Sequence, residues 1–172
     1  MTAILRTEGV VLRPLTVADA KALFLAHGDP DAHQYWSGPA HRDEAETARS
    51  IEQTLTVIGA DAWAITEDGE DALGRIALFI RREGVGELGV ILRREAQGRG
   101  IAAKALKLVE AYAFEALKLH RLFADVDPEN GASMSLFLRA GFQREGLLKQ
   151  NWKTHIGLRD TVILAKLKEP QS

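Results

Sequence analysis

An α/β fold, a mixed sheet with helices on both faces, is what the order of periodicities in this sequence predicts. Three observations carry it. Short apolar segments bounded by turn residues alternate with stretches of helical spacing. A run of three strands follows two helices. The second half then reads helix, strand, helix, strand, strand, so the whole runs β-α-α-β-β-β-α-β-α-β-β. At 172 residues the chain is about one domain by the usual ~150 residues per domain. No Pro/Gly/Ser-rich linker and no internal repeat divides it, so residues 1–172 are read as a single domain.

Residues 9–15 read as the first strand, with Pro14 near its end. Thr16, three residues ahead of Asp19, is a capping signal for a helix running to His27 and stopped by Gly28-Asp29-Pro30. Residues 43–58 carry Ala45, Ala48, Ile51, Leu55 and Ile58 at helical spacing. Strands follow at 62–66, 73–80 and 87–92, separated by the turn Glu67-Asp68-Gly69 and a charged, glycine-containing turn over 81–86. Residues 98–117 form the clearest helix, with an apolar stripe of Ile101, Ala105, Leu108, Val109, Tyr112 and Ala116. A strand over 122–126 ends at Asp127-Pro128, a helix over 132–139 is stopped by Gly141, and 142–149 and 161–167 close the sheet. Only the tail, 168–172, has a disorder-like composition.

Composition narrows the function classes. Hydrophobic residues are 46% and charged residues 27%, which excludes a disordered or fibrous chain. Lys plus Arg is 22 against 24 Asp plus Glu, a net charge of −2, which excludes a nucleic-acid platform built on bulk charge. The absence of cysteine excludes disulfides, a thiol nucleophile and thiolate metal sites. Arg6, Glu8 and Arg13 leave no room for a signal-peptide core, and no apolar run approaches 18 residues, so a cytoplasmic chain without a membrane partner is expected. The histidines at 27, 33, 41, 120 and 155 form neither H-x-x-x-H nor H-E-x-x-H, and no metal site is expected.

Gly84-Val85-Gly86-Glu87-Leu88-Gly89 spells G-x-G-x-x-G, but a charged turn precedes it and a strand follows. The dinucleotide fingerprint needs strand before and helix after, so this is a hairpin. Gln97-Gly98-Arg99-Gly100-Ile101-Ala102 has the required context, lying between a strand and the start of the longest helix. Small residues there let backbone N–H groups approach an anion, and the helix dipole favours negative charge. A plain strand-to-helix turn is the alternative. No G-x-x-x-x-G-K-[ST] occurs, so this is not a Walker loop.

Gln97-Gly98-Arg99-Gly100-Ile101-Ala102 resembles the Q/R-x-x-G-x-G/A acyl-CoA signature of the GNAT N-acetyltransferase superfamily. Asn130-Gly131-Ala132-Ser133, followed by Leu136 to Phe142, is similar to that family's second motif, N-x-x-S…G-F. Asp29-Pro30-Asp31…Tyr35-Trp36 and Glu145-Gly146…Arg159-Asp160-Thr161 resemble its RimJ/RimL-like branch, the ribosomal-protein N-terminal acetyltransferases and their relatives. The resemblance covers nearly the whole chain. It implies a GNAT fold, a twisted and mostly antiparallel sheet whose central strands splay, and transfer of acetyl from acetyl-CoA to a primary amine in a ternary complex. It leaves open a protein N-terminus, a polyamine or an amino acid as acceptor. Homodimers are common in the branch.

Residue by residue, the resemblance implies that main-chain groups of Val90, Ile91 and Leu92 pair with pantetheine. Amides of Gln97, Gly98, Arg99, Gly100, Ile101 and Ala102 would hold the pyrophosphate. Asn130 would bond the pantetheine, or only cap a helix; Arg139 would reach the phosphates, or only be solvated. Glu87 is the implied general base, since a protonated amine must lose a proton before it attacks. An exposed strand-end carboxylate is its alternative. The family's acid tyrosine is replaced by Phe137, leaving Ser133 to protonate the thiolate or to cap its helix. Tyr35 and Trp36 are expected on the acceptor pocket, or packed on the core, with Trp152 and His155 ranked behind them. Asp125, Asp127 and Glu129 read as a solvated strand end, with a site for a cation or a cationic substrate as the alternative. The rivals are a non-catalytic acyl-CoA-binding module, which Phe137 keeps open, and a regulator binding ATP or NAD.

Overall fold

Residues 60–66 show how this chain builds a two-sided core. In strand β3 (Ala60–Thr66), Trp63 and Ile65 point to one face of the sheet and Ala62 and Ala64 to the other. Large residues on one face meet the long helix α3 (Ile101–Ala111) through Ala105, Leu106 and Val109. Small residues on the other let α1 (Ala20–His27) and α2 (Glu44–Leu55) lie close, with Leu23 and Ile51 fully buried against them. The computed structural model describes residues 2–170; Met1, and Gln171 and Ser172 of the tail, lie outside the described residues.

The remaining strands are β1 (Leu5–Thr7), β2 (Val10–Pro14), β4 (Gly74–Arg82), β5 (Val85–Leu92), β6 (Arg121–Val126), β7 (Gln143–Thr154) and β8 (Gly157–Leu167). Together with β3 they form one eight-stranded sheet in the order β1-β2-β3-β4-β5-β6-β8-β7. Helix α4 (Gly131–Arg139) links β6 to β7. Every pairing is antiparallel except β5 with β6. That parallel pair is joined only at Val85–Arg121, Gly86–Leu122 and Glu87–Phe123. Beyond Glu87 the two strands part, while β4 stays paired with β5 as far as Leu92. The expected splay is therefore present, and it leaves one edge of residues 88–92 without a strand partner.

Several boundaries differ from the sequence reading. The strand over 5–7 was not expected: three residues are too few to show alternation. The turn expected over 81–86 shrinks to Glu83-Gly84, and its charged neighbours Arg81 and Arg82 belong to an exposed strand end. Gly86 is required inside β5, because a Cβ there would come within 2.5 Å of Leu78 Cδ1. Helix α2 ends at Leu55, with Ala45 exposed, Thr47 buried and Ile58 98% exposed, so its inner face is turned from the one expected. Helix α3 starts at Ile101 rather than Gly98 and gives way to a π-helical turn, Tyr112–Ala116, which leaves Ala116 exposed. β7 and β8 meet in a hairpin much longer than expected, bulged between Arg144 and Gly146 and between Leu148 and Trp152. β7 is exposed along almost its whole length, so no apolar alternation marks it.

Trp63 is fully buried, sits edge-on to Tyr112 with centroids 5.5 Å apart, and donates its indole N–H to the Ala3 carbonyl at 2.7 Å. Trp63→Ala is expected to cost about 3–5 kcal/mol in urea unfolding. A loss below about 1 kcal/mol would contradict this packing.

Candidate active site

The parting of β5 from β6 opens a cleft of about 950 Å³. Val90, Ile91 and Leu92 form one wall, and the loop into α3 forms its end through Gln97, Gly98, Gly100, Ile101 and Ala102. Gly98 and Gly100 have φ of +72° and +74°, and a Cβ at either would meet nothing within 4 Å. Backbone conformation, not crowding, therefore requires glycine. This left-handed turn starts α3 abruptly. The first i to i−4 bond is Lys104 N–H to Gly100 O at 3.1 Å, so the amides of Ile101, Ala102 and Ala103 have no partner within the helix. Three orphan donors and the positive end of the helix dipole meet at the cleft, which suits an anion.

The Gln97 side chain donates to Leu92 O at 3.3 Å and holds the loop onto β5. Arg99 turns away to an ion pair with Glu67 at 2.5 Å, and its side chain is not on the cleft wall. Arg139 is on the wall, as are Arg94, Lys107, Lys166 and Ala103, to which the sequence reading assigned no role. Lys166 is tied to Glu110 at 2.6 Å; burial pushes the Glu110 carboxyl above its usual range, and Lys166 offsets part of that. Arg94 bonds Asp29 at 2.9 Å and Asp31 at 2.7 Å, fastening the α1–α2 loop to the end of β5.

Asn130 caps α4, accepting from Ser133 N–H at 3.2 Å, and also faces the cleft. Ser133 is thus the third residue of the helix and not its cap. Both of them border a second cavity of about 370 Å³. Five residues border both cavities: Tyr35, Trp36, Val90, Asn130 and Ser133. Tyr35 and Trp36 belong to the α1–α2 loop, so three separate segments converge at the junction.

Glu87, Asp125, Asp127 and Trp152 border the second cavity, whereas His155 does not. The Glu87 carboxylate meets Arg81 Nε at 2.5 Å, and Arg81 in turn lies over the Phe79 ring at 4.9 Å. Asp125 accepts from Trp152 Nε1 at 2.7 Å and from Thr161 Oγ1 at 2.9 Å. Asp127 is 9% exposed and is gripped by Arg159, with bonds of 2.7 and 2.9 Å; Arg159 also pairs with Glu129. Burial raises the Asp127 pKa, yet the bonds from Arg159 and the Glu129 amide outweigh it and hold the carboxyl below its usual range. These acids are organised groups, not the solvated strand end expected. The pocket combines aromatic faces and carboxylates with the guanidiniums of Arg75 and Arg81. Its aromatic faces, with Asp125 bonded among the described residues only to the neutral donors Trp152 and Thr161, suit a cationic amine.

Residues 10–143 match the family model described as "Acetyltransferase (GNAT) domain". The chain is 31% identical over 157 residues to the uncharacterized N-acetyltransferase YoaA of Bacillus subtilis, covering 87% of this chain and 88% of that one. It is 28% identical over 145 residues to spermidine N(1)-acetyltransferase of Escherichia coli, covering 82% and 76%. Among solved structures, Mycobacterium smegmatis RimJ in complex with CoA-disulfide superposes with a TM-score of 0.84 at 26% identity, covering 99% of this chain and 89% of that one.

Proposed function

The chain belongs to the GNAT acetyltransferase family, and on that premise we propose that it moves the acetyl group of acetyl-CoA directly onto the primary amine of a small cationic molecule or a protein N-terminus. The observation that carries this reading is the junction. An anion-suited cleft and an aromatic, acid-lined pocket meet across Tyr35, Trp36, Val90, Asn130 and Ser133. Two substrates held in two such cavities would meet there, and holding them together supplies much of the rate. The eight strands form one continuous sheet, which supports a single domain. The Asp29–Asp31 and Tyr35–Trp36 loop, and the similarity to RimJ, support the RimJ/RimL-like branch.

The residues divide the work as follows. The open edge of Val90, Ile91 and Leu92 offers backbone groups to an extended pantetheine arm. The orphan amides at the start of α3 take the diphosphate, with Lys107 and Arg139 adding positive charge. Acetyl-CoA supplies an activated thioester, whose C–S bond breaks as the amine nitrogen forms the new C–N bond. Glu87 receives the proton that frees the amine lone pair, directly or through a water. The nitrogen passes a second proton to water as the amide forms, and the departing sulfur takes one from water, or from Ser133, which water then reprotonates. With no cysteine in the chain, a thioester on the protein is excluded.

The test is thiol release from acetyl-CoA against N-terminal peptides, spermidine, free amino acids and an aminoglycoside, with the acetylated product identified by mass. Thiol and product in equal amounts from one acceptor class are expected. Tight CoA binding with no thiol release from any class would favour the non-catalytic module.

A further inference from the structure

Three histidines that no motif spacing connects come together beneath the α1–α2 loop. His27 ends α1, His33 lies within the loop and His41 just precedes α2. One ring nitrogen from each lies within 4.8 Å of the others. Separations of six and eight residues place them on three different pieces of backbone, which is why a search for helical H-x-x-x-H could not find them.

Two features point to a ligand. First, His27 is completely buried, and neither of its ring nitrogens has a hydrogen-bond partner among the described residues. Buried polar groups in native proteins are almost always satisfied, and leaving one unmet is costly. Second, the other two rings are held by one nitrogen and leave the other available. His33 Nδ1 faces the Gly38 carbonyl at 3.2 Å, and His41 Nδ1 faces Thr47 Oγ1 at 2.9 Å. A carbonyl only accepts, so His33 carries its proton on Nδ1 and has a lone pair on Nε2. Metal-binding histidines are commonly oriented by such a contact from the second nitrogen.

We propose that His27, His33 and His41 bind a divalent transition-metal ion of the zinc class, three imidazoles leaving a fourth position for water. Zn–N bonds of about 2.0–2.1 Å in tetrahedral geometry set the three nitrogens roughly 3.3 Å apart, so the nitrogens must draw together by about 1.5 Å at most, and His27 and His41, whose rings stack at 11°, must also turn so that their lone pairs converge. Imidazole ligands favour zinc or copper over calcium or magnesium. Arg75 opposes a cation at all three rings and Arg49 at His41, while Glu46 and Asp43 favour one at His41. Arg75 is itself engaged, bonding Thr54 at 3.3 Å and lying 5.6 Å from the Trp36 ring centroid. The ion would join the end of α1, the loop and the approach to α2. Trp36 stacks on His33 with centroids 5.2 Å apart, so the metal would fix the aromatic wall of the cavity junction. Its role is to position, and the site stands whether or not the chain transfers acetyl groups.

The experiment uses the full chain without an affinity tag, stripped by a chelator and dialysed against zinc. One zinc per chain and a raised Tm are expected. Cobalt in its place is expected to give the visible absorption of a low-symmetry, four-coordinate ion. H41Q, at a half-buried position, is expected to stay folded by circular dichroism and to lose zinc affinity by at least about 10–100-fold. H33Q should do the same, while H120Q, just before β6, should bind as the unaltered chain does. Less than about 0.2 zinc per chain, or zinc binding equal in H41Q and H33Q to that of the unaltered chain, would overturn the proposal. The cobalt spectrum decides the question on the unaltered chain even if a variant fails to fold.

Discussion

Replacing Ala103 with glutamate is expected to abolish useful acetyl-CoA binding while leaving the fold as stable as before. Ala103 is exposed, is the third residue of α3, and lies on the cleft wall. A carboxylate in a helix's first turn is favourable, by about 0.3–1 kcal/mol. The same carboxylate would stand beside the position proposed for the diphosphate. Two like charges 4 Å apart at an effective dielectric of 20 repel by about 4 kcal/mol. Solvent at this exposed site reduces that, and a loss of about 100-fold in affinity is expected by calorimetry. Ala103→Gln supplies the bulk without the charge and should bind within a few-fold of the original. If the glutamate variant binds acetyl-CoA normally, the start of α3 does not hold the phosphates. If both variants bind poorly, size rather than charge is at fault.

Glu87→Gln is expected to lower kcat by about 10²–10⁴-fold, the usual contribution of a positioned general base, with little change in the KM for acetyl-CoA. Glu87 lies at the last paired position before β5 and β6 part, on the wall of the acceptor pocket. Its carboxylate is also half of an ion pair, so a second variant is needed to separate chemistry from pairing. Arg81→Ala removes the partner and keeps the carboxylate, and should cost far less than Glu87→Gln. Equal losses in the two variants would make Glu87 a positioning residue that acts through Arg81. A Glu87→Gln enzyme within about threefold of the original would remove it from the mechanism, and Asp125 would become the next carboxylate to test.

Much of the cleft was legible because its chemistry is local. Gly98 and Gly100 are needed for their φ, Asn130 for a cap, and both signals lie within six residues of sequence. The G-x-G at Gly84 and Gly86 was equally readable as a hairpin, because a strand follows it. Features built by long-range approach were not legible. Lys107 and Lys166 reach one cleft from α3 and β8, and nothing in either segment marks them. Arg94 finds Asp29 and Asp31 across more than sixty residues. Asp125 and Asp127 gain their order from Trp152, Thr161 and Arg159 on the closing hairpin, whose first strand has too little burial to show a pattern. The histidine cluster is the extreme case, since its three rings share only a location in the folded chain.

The most direct measurement of the central claim is a calorimetric titration of the unaltered chain with acetyl-CoA, run beside ATP and NAD. One acetyl-CoA per chain, with no comparable heat from either nucleotide, is the expected result. No binding of acetyl-CoA, or tighter binding of ATP or NAD, would contradict the assignment of the β5–β6 cleft and everything built on it.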